Sequence, residues 1–118
     1  MGQKLSQPSQ MRQLLDLPHI EQQLARHQPT PSAAKVDQRE AAVALILKPS
    51  KQGLLGLFIL RAKKVGDPWS GQMALPGGHR EDLDDSLIAT AQRETYEETG
   101  FDLASGSRFL GALEGVRA

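Results

Sequence analysis

The stretch HREDLDDSLIATAQRETYEETG, residues 79–100, determines most of what can be predicted about this chain. Its central part, residues 81–98, contains seven carboxylates, half of the 14 acidic residues in the sequence, and a single basic residue, Arg93. The whole chain nevertheless has a formal net charge of +0. Because clustered like charges repel one another, a neutral protein that concentrates them in 18 residues is expected to use them.

The second half of this stretch is predicted to be a helix. Asp85 or Ser86 is a suitable N-cap, and Gly100 stands where a helix commonly ends in a left-handed residue. At about 100° per residue, one face of this helix is expected to be buried. That face carries Leu87, Ile88, Ala91 and Thr95. The sector beside it carries Glu94, Glu97 and Glu98, so the acids border the buried face.

These three glutamates stand at i, i+3 and i+4, so their side chains converge on one patch of the helix. Arg93 can pair with Glu97 at i+4 but is expected to leave Glu94 and Glu98 uncompensated. A divalent cation would relieve this repulsion, and oxygen ligands favour Mg²⁺ or Mn²⁺. The glycines of PGG, residues 76–78, would let the backbone approach a ligand closely. The alternative is a solvated acidic face without a ligand.

Four short strands surround this helix in the sequence. AAVALILK, residues 41–48, and LLGLFILR, residues 54–61, are predicted to form a hairpin through a turn at residues 49–53. QMAL, residues 72–75, is a short third strand that ends at PGG, and SRFLGAL, residues 107–113, is a further strand. Strands combined with one amphipathic helix predict an α/β fold.

The N-terminal residues 1–39 are predicted to be an arm, and residues 40–118 a single domain. The arm is rich in Gln, Ser and Pro and contains one candidate helix, PHIEQQLARHQ, residues 18–28, followed by a linker at residues 27–35. About 80 residues are at the lower edge of what one core can stabilise. We therefore expect the chain to contain the N-terminal portion of a longer domain, or to complete its sheet with another chain.

Composition excludes several classes of function. Neutral net charge provides no basic surface for nonspecific nucleic-acid binding. The longest apolar runs have seven residues, well below the roughly 18 of a membrane span, and the N-terminus resembles no secretory signal. The chain has no cysteine, which fits a cytoplasmic setting. We expect neither a nucleic-acid nor a membrane partner.

Residues 78–101 resemble the Nudix box, whose pattern is G, five residues, E, seven residues and REUxEExGU, with U a bulky aliphatic residue. RETYEETGF, residues 93–101, matches every fixed position of the second half, with Thr95 and Phe101 at U positions. Counting back from Arg93 puts the initial Gly at His79 and the loop acid at Asp85. The loop is therefore one residue longer than the pattern and has Asp for Glu, and either Asp84 or Asp85 is the loop acid.

The resemblance implies an α/β/α sandwich with a mixed sheet and Mg²⁺- or Mn²⁺-dependent hydrolysis of a nucleoside diphosphate linked to another moiety. It makes Glu97 and Glu98 metal ligands, and Glu94 either a ligand or the base that activates water. Arg93 would orient the carboxylates by bridging Glu97 or the loop acid, and the carbonyl of Gly78 would complete the metal shell. The C-terminal strands, closing helix and a further acid of the family are expected beyond residue 118.

GQMALPGG, residues 71–78, also resembles the signature that precedes the box in coenzyme A pyrophosphatases, with Leu75 in place of Phe. The upstream Arg-Ser element of that signature does not fit, because Arg61 is out of register and Asp67 replaces a second Arg. Lys63 and Lys64 can replace the lost charge or be solvated. Coenzyme A, ADP-ribose and nucleotide sugars therefore all stay candidate small-molecule substrates.

Two function hypotheses remain from the sequence. The intact REUxEE acids favour a pyrophosphohydrolase, and the alternative is a non-catalytic nucleotide-binding or regulatory Nudix domain. Trp69, the only tryptophan, can stack on a base or cap the core. The family resemblance further implies a possible homodimer.

Overall fold

The computed structural model describes residues 16–29, 39–68 and 70–115. In chain order the elements are helix α1 (Leu17–Arg26), strands β1 (Ala41–Val43), β2 (Leu47–Ser50), β3 (Gly53–Gly56), β4 (Ile59–Leu60), β5 (Met73–Ala74) and β6 (Gly77–His79), and helices α2 (Leu87–Thr99) and α3 (Leu103–Gly106). The described residues form two compact units, one of residues 16–29, 47–55 and 109–115 and one of residues 39–46, 56–68 and 70–108. Trp69 and most of the predicted linker lie outside the described residues.

The first unit contains the predicted N-terminal helix, α1. Asp16 is its N-cap and accepts a hydrogen bond of 2.9 Å from the backbone N–H of His19, while Pro18 occupies the first turn. Proline is tolerated there because the first N–H groups of a helix have no intrahelical acceptor. This unit also contains β2 and most of β3, which pair across a turn at residues 51–52. The predicted hairpin is therefore present, and Ser50 Oγ donates to the carbonyl of Gly53 at 2.7 Å within it.

The second unit contains two antiparallel strand pairs and the two remaining helices. β1 pairs with β6, with Ala41 opposite His79, and β4 pairs with β5, with Ile59 opposite Ala74. The two predicted long strands are each divided, since their first and second halves pair with different partners. The residues of PGG were predicted to end a strand, but Gly77 and Gly78 lie inside β6.

Helix α2 begins and ends where the sequence predicts. Ser86, one of the two candidate N-caps, accepts a hydrogen bond of 3.1 Å from the N–H of Ala89. Gly100 ends the helix in a left-handed conformation with φ of 76°, and its N–H donates to the carbonyl of Tyr96. Residues with a Cβ are strained in this conformation, so glycine suits the position.

The face of α2 that packs against β6 and β1 matches the predicted one only in part. Thr90 and Thr95 are fully buried, Leu87 and Ala91 are half-buried, and Ile88 is 45% exposed. The prediction for Ile88 is therefore wrong. In the described ranges, no large aliphatic or aromatic side chain is buried. The buried residues among those described in this unit are Thr90 and Thr95 of the helix, Asp84 of the loop before it, and Pro76 just before β6.

The predicted α/β class is confirmed, with helices combined with short antiparallel strands. The prediction of a strand at residues 107–113 is wrong, because residues 107–115 form no strand. A strand requires a partner for its backbone groups, whereas this segment packs on a helix: a Cβ on Gly111 would lie 3.3 Å from Leu24 of α1. In the described ranges, no helix has the length and apolar content needed to cross a membrane.

Candidate functional site

A bidentate ion pair between Arg93 of α2 and Asp84 of the preceding loop lies at the centre of the site. Arg93 Nε donates to Asp84 Oδ1 at 3.0 Å, and Nη2 donates to Oδ2 at 3.0 Å. This geometry matches the planar fork of the guanidinium to both carboxylate oxygens, which is the strongest form of this interaction. Arg93 and Asp84 therefore fix the loop against the middle of the helix.

Asp84 is buried, with only 7% of its surface exposed, and its carboxylate accepts hydrogen bonds from three residues. Besides Arg93, its Oδ2 accepts hydrogen bonds of 2.9 Å from Thr90 Oγ1 and 2.9 Å from the N–H of Glu81. The hydrogen bonds from the Arg93 guanidinium, assisted by the Glu81 N–H, hold the pKa of Asp84 well below its usual range. Hydrogen bonding to Asp84 likewise raises the pKa of Arg93. Both shifts favour the charged forms of the two groups.

These contacts distinguish the two candidate loop acids. Asp85 is exposed, and in the described part of the chain it forms no ion pair with Arg93. With Asp84 as the acid, the interval from Gly78 has the five residues of the Nudix pattern. The extra residue then lies between Asp84 and Arg93, in the segment that leads into α2.

Arg93 also compensates the charge of the other carboxylates. Its Nη1 lies 3.1 Å from Glu94 Oε1 and 3.2 Å from Glu97 Oε1, and 3.6 Å from Glu81 Oε1. The predicted pairing of Arg93 with Glu97 is confirmed. The expectation that Glu94 is left uncompensated is wrong, because the guanidinium points along the helix and reaches both residues. Its Nη2 donates to the carbonyl of His79 at 2.9 Å, which joins α2 to β6.

Glu94 and Glu98 lie on the face of α2 that meets the two glycines of β6. The N–H of Gly77 donates to Glu98 Oε1 at 2.8 Å, so this carboxylate is held by the backbone. A Cβ on Gly78 would lie 2.5 Å from Glu94 Cδ, so a side chain there would have to displace the Glu94 carboxylate. On Gly77 a Cβ would collide with the backbone of Ala42 and Val43 in β1. The two glycines therefore permit β6 to approach both the helix carboxylates and its partner strand.

Oxygen donors of this kind suit a hard divalent cation, and Glu97, with 54% of its side chain exposed, is open to solvent. In the described ranges, however, no three acidic or imidazole side chains are gathered into a ligand set. Glu94 and Glu97 are directed to Arg93, and Glu98 is directed to Gly77. The site thus has suitable oxygen donors, which Arg93 and the N–H of Gly77 orient.

Sequence reasoning did not identify Arg80 and Glu40. Arg80 Nε and Nη2 donate to the carbonyl of Asp84 at 3.3 and 3.2 Å, and Nη1 donates to Glu40 Oε1 at 3.1 Å. Glu40 precedes β1 and is 40 residues away in the sequence. No local sequence pattern indicates such a contact, since it depends on the pairing of β1 with β6.

Glu98 also lines an open cleft of about 390 Å³. The opposite wall comes from β4 and the loop that follows it, and its charged residues are Arg61, Lys64 and Asp67. Arg61 Nη2 lies 3.2 Å from Asp67 Oδ2 and is paired with it. Lys64 forms no ion pair within 4 Å among the described residues, so its ammonium is available to an anion.

Comparison with known proteins identifies a matching family model and several similar sequences. A family model described as NUDIX domain matches residues 37–118. An uncharacterized protein of Schizosaccharomyces pombe is 52% identical over 59 residues, which are 49% of this chain and 18% of that protein. A protein of Klebsiella aerogenes named uncharacterized Nudix hydrolase NudL is 37% identical over 70 residues, 59% of this chain and 57% of that protein. Its namesake in Cronobacter sakazakii is 38% identical over 72 residues, 59% of this chain and 35% of that protein. The chain therefore spans less than two thirds of the length of each relative.

Proposed function

The chain belongs to the NUDIX domain family, and from this membership we propose that it hydrolyses a pyrophosphate bond in a nucleoside diphosphate linked to another moiety. The reaction would depend on Mg²⁺ or, alternatively, Mn²⁺. A pyrophosphate carries negative charge that repels a hydroxide nucleophile, and a bound divalent cation neutralises its oxygens and lowers the pKa of water.

The observation that carries this proposal is the position of Glu94 and Glu98 on the helix face that meets the glycines of β6. We assign Glu97 and Glu98 as metal ligands and Glu94 as a ligand or the general base. The carbonyl of Gly78 would be a further oxygen ligand. Arg93 would be the residue that orients the carboxylates.

The cleft beside Glu98 supports an anionic substrate. A carboxylate alone on its wall would repel phosphate, whereas Lys64 supplies a positive charge that Asp67 does not compensate. A coenzyme A-like molecule and an ADP-ribose or nucleotide-sugar molecule both bear the pyrophosphate that this charge would attract. A cytoplasmic location and a homodimer stay predictions.

The test is a hydrolysis assay of the full-length protein against coenzyme A, ADP-ribose, nucleotide sugars, dinucleoside polyphosphates and NADH, with Mg²⁺ or Mn²⁺. Glu98→Gln keeps the size and the hydrogen-bond acceptor for Gly77 but removes the charge. We expect it to lower the metal-dependent rate by at least about 100-fold. Glu21→Gln, a helical substitution in α1, is the matched control and should retain the wild-type rate. A folded Glu98→Gln variant with a near-normal rate would remove Glu98 from the mechanism.

The second candidate function, which the sequence also allows, is a non-catalytic nucleotide-binding or regulatory domain. The same assay separates the two functions, because this candidate predicts nucleotide binding by calorimetry with no turnover of any compound in the panel.

A further inference from the structure

Arg80 contacts the loop acid, Asp84, at its backbone. Its Nε and Nη2 converge on the backbone carbonyl of Asp84 at 3.3 and 3.2 Å, whereas Arg93 holds the carboxylate of the same residue. Asp84 is therefore fixed at two points, at its backbone by one arginine and at its side chain by the other. A residue held in this way has little freedom to rotate.

Arg80 is itself fixed by the strand pair. Its backbone N–H donates to the carbonyl of Glu40 at 2.8 Å, which extends the β1–β6 pairing by one residue. Its Nη1 donates to Glu40 Oε1 at 3.1 Å. Both side chains are only partly exposed, at 36% for Arg80 and 25% for Glu40. Backbone and side chain together thus fix the direction in which the guanidinium points.

We infer that Arg80, held by Glu40, is a positioning residue that sets the orientation of Arg93 and the helix carboxylates through Asp84. The chain of contacts runs from Glu40 to Arg80, to the Asp84 carbonyl, and from the Asp84 carboxylate to Arg93. Arg93 in turn holds Glu94 and Glu97. Neither Arg80 nor Glu40 occupies a fixed position of the box pattern. Among the described residues, neither side chain forms a hydrogen bond or salt bridge with a proposed metal ligand.

This inference rests on the proposed function for its kinetic consequences, although its structural consequence can be measured without any substrate. The Nε–H of Arg93, which donates to Asp84 Oδ1, gives a ¹H–¹⁵N NMR signal whose exchange with solvent reports that hydrogen bond. Arg80→Gln removes the guanidinium that contacts the Asp84 carbonyl. Glu40→Gln removes only the negative charge that pairs with this guanidinium. Arg39→Gln, an exposed arginine beside Glu40, is the matched control.

We expect faster exchange of the Arg93 Nε–H in Arg80→Gln and, to a smaller extent, in Glu40→Gln, with Arg39→Gln at the wild-type rate. For an active enzyme we also expect kcat to fall about tenfold in Arg80→Gln with KM unchanged, the size typical of removing a group that orients a ligand. Arg80→Lys keeps the charge but carries all its donors on one nitrogen, so it cannot reproduce the contact made by both Nε and Nη2, and it should recover only part of the loss.

A purely structural role would lower the thermal midpoint of the variants but leave both the Arg93 signal and kcat unchanged below that temperature, and this result would overturn the inference. If Arg80→Gln fails to fold, the exchange rate of the Arg93 Nε–H and kcat are measured in Glu40→Gln instead, and they test the inference in the same way. A wild-type protein that is inactive on every compound contradicts the proposed function, whereas the NMR exchange still decides the positioning of Arg93.

Discussion

Asp84 determines how the repulsion in residues 81–98 is relieved. It is the buried acid of the loop, and it draws Arg93 into a position from which the guanidinium also reaches Glu81, Glu94 and Glu97. One arginine thus compensates four carboxylates, and backbone compensates Glu98. Charges that are unfavourable as a linear sequence become a connected network in three dimensions.

We predict that Asp84→Asn lowers activity by roughly 10- to 100-fold, the usual cost of losing a group that orients ligands. An amide can accept one hydrogen bond from Arg93 but presents its NH₂ group to the second donor, so the fork is lost. Asp85→Asn, one residue away and exposed, should retain both activity and thermal midpoint. Steady-state kinetics and thermal melts of the two variants test this, and equal losses in both would show that the loop acid is not Asp84 alone.

The low pKa of Asp84 predicts a dependence of stability on pH. A carboxyl whose pKa is lower in the folded than in the unfolded chain stabilises the fold above the unfolded value of about 3.9. This contribution is lost as pH falls below that value towards the folded-state pKa. Urea unfolding between pH 2 and 7, compared with Asp84→Asn, is the measurement. We expect the free energy of unfolding to fall more steeply at acid pH in the wild type than in Asp84→Asn. Parallel pH dependences in the two proteins would contradict a lowered pKa of Asp84.

At the scale of elements, the closest approach in the site is between α2 and β6. Two consecutive glycines let the strand pass beneath Glu94 and Glu98, and the neighbouring strand β1 leaves no space on the other side of Gly77. The helix is fixed at its N-terminus by Ser86 and ends at Gly100. Glycine therefore has two separate uses here, close packing in β6 and a left-handed residue after α2.

Gly78→Ala is expected to lower activity while costing little stability. Its Cβ would displace the carboxylate of Glu94, which is the flexible end of a side chain and can move away. The backbone of Gly78 has no positive φ, so alanine adds no strain there. A thermal melt and kcat measured together test this prediction. Gly77→Ala provides the contrast, because its Cβ meets backbone, and it should reduce stability strongly.

The sequence predicted element types better than their pairing. The caps of α2, the helix α1 and the hairpin at residues 51–52 follow from local signals such as Ser, Pro and Gly at defined positions. The strand at residues 107–113 was predicted from its apolar content alone, and that content does not supply a partner strand. Ile88 was placed on the buried face by its angular position on the helix, yet 45% of it is exposed.

For the molecule as a whole, the cleft beside Glu98 brings together residues that are distant in sequence. Its basic wall comes from β4 and the loop after it, and its acidic wall from the end of α2. The first of these carries an arginine paired with Asp67, and Lys64, which forms no salt bridge with any residue that the structure describes. Selection among anionic substrates is therefore expected to depend on Lys64.

We predict that Lys64→Ala raises KM for a pyrophosphate substrate about tenfold, equivalent to ~1.4 kcal/mol and within the range of a charge-assisted hydrogen bond. Lys63→Ala is the matched control, since the Lys63 side chain lies against Gly71, 3.8 Å from a Cβ placed there. The comparison should be made at low ionic strength, where screening is weak. Equal KM values for the two variants would argue against a phosphate contact at Lys64.

By itself the sequence determined the α/β class, the helix that carries the acids and the resemblance of residues 78–101 to the Nudix box. These are encoded locally, by the spacing of charges along one helix and by the residues at its ends. The tertiary structure decided which loop acid pairs with Arg93, which face of α2 meets β6, and that Arg80 and Glu40 support the loop. Burial and partner geometry decide these points, because Asp84 and Asp85 have the same chemistry and differ only in what surrounds them.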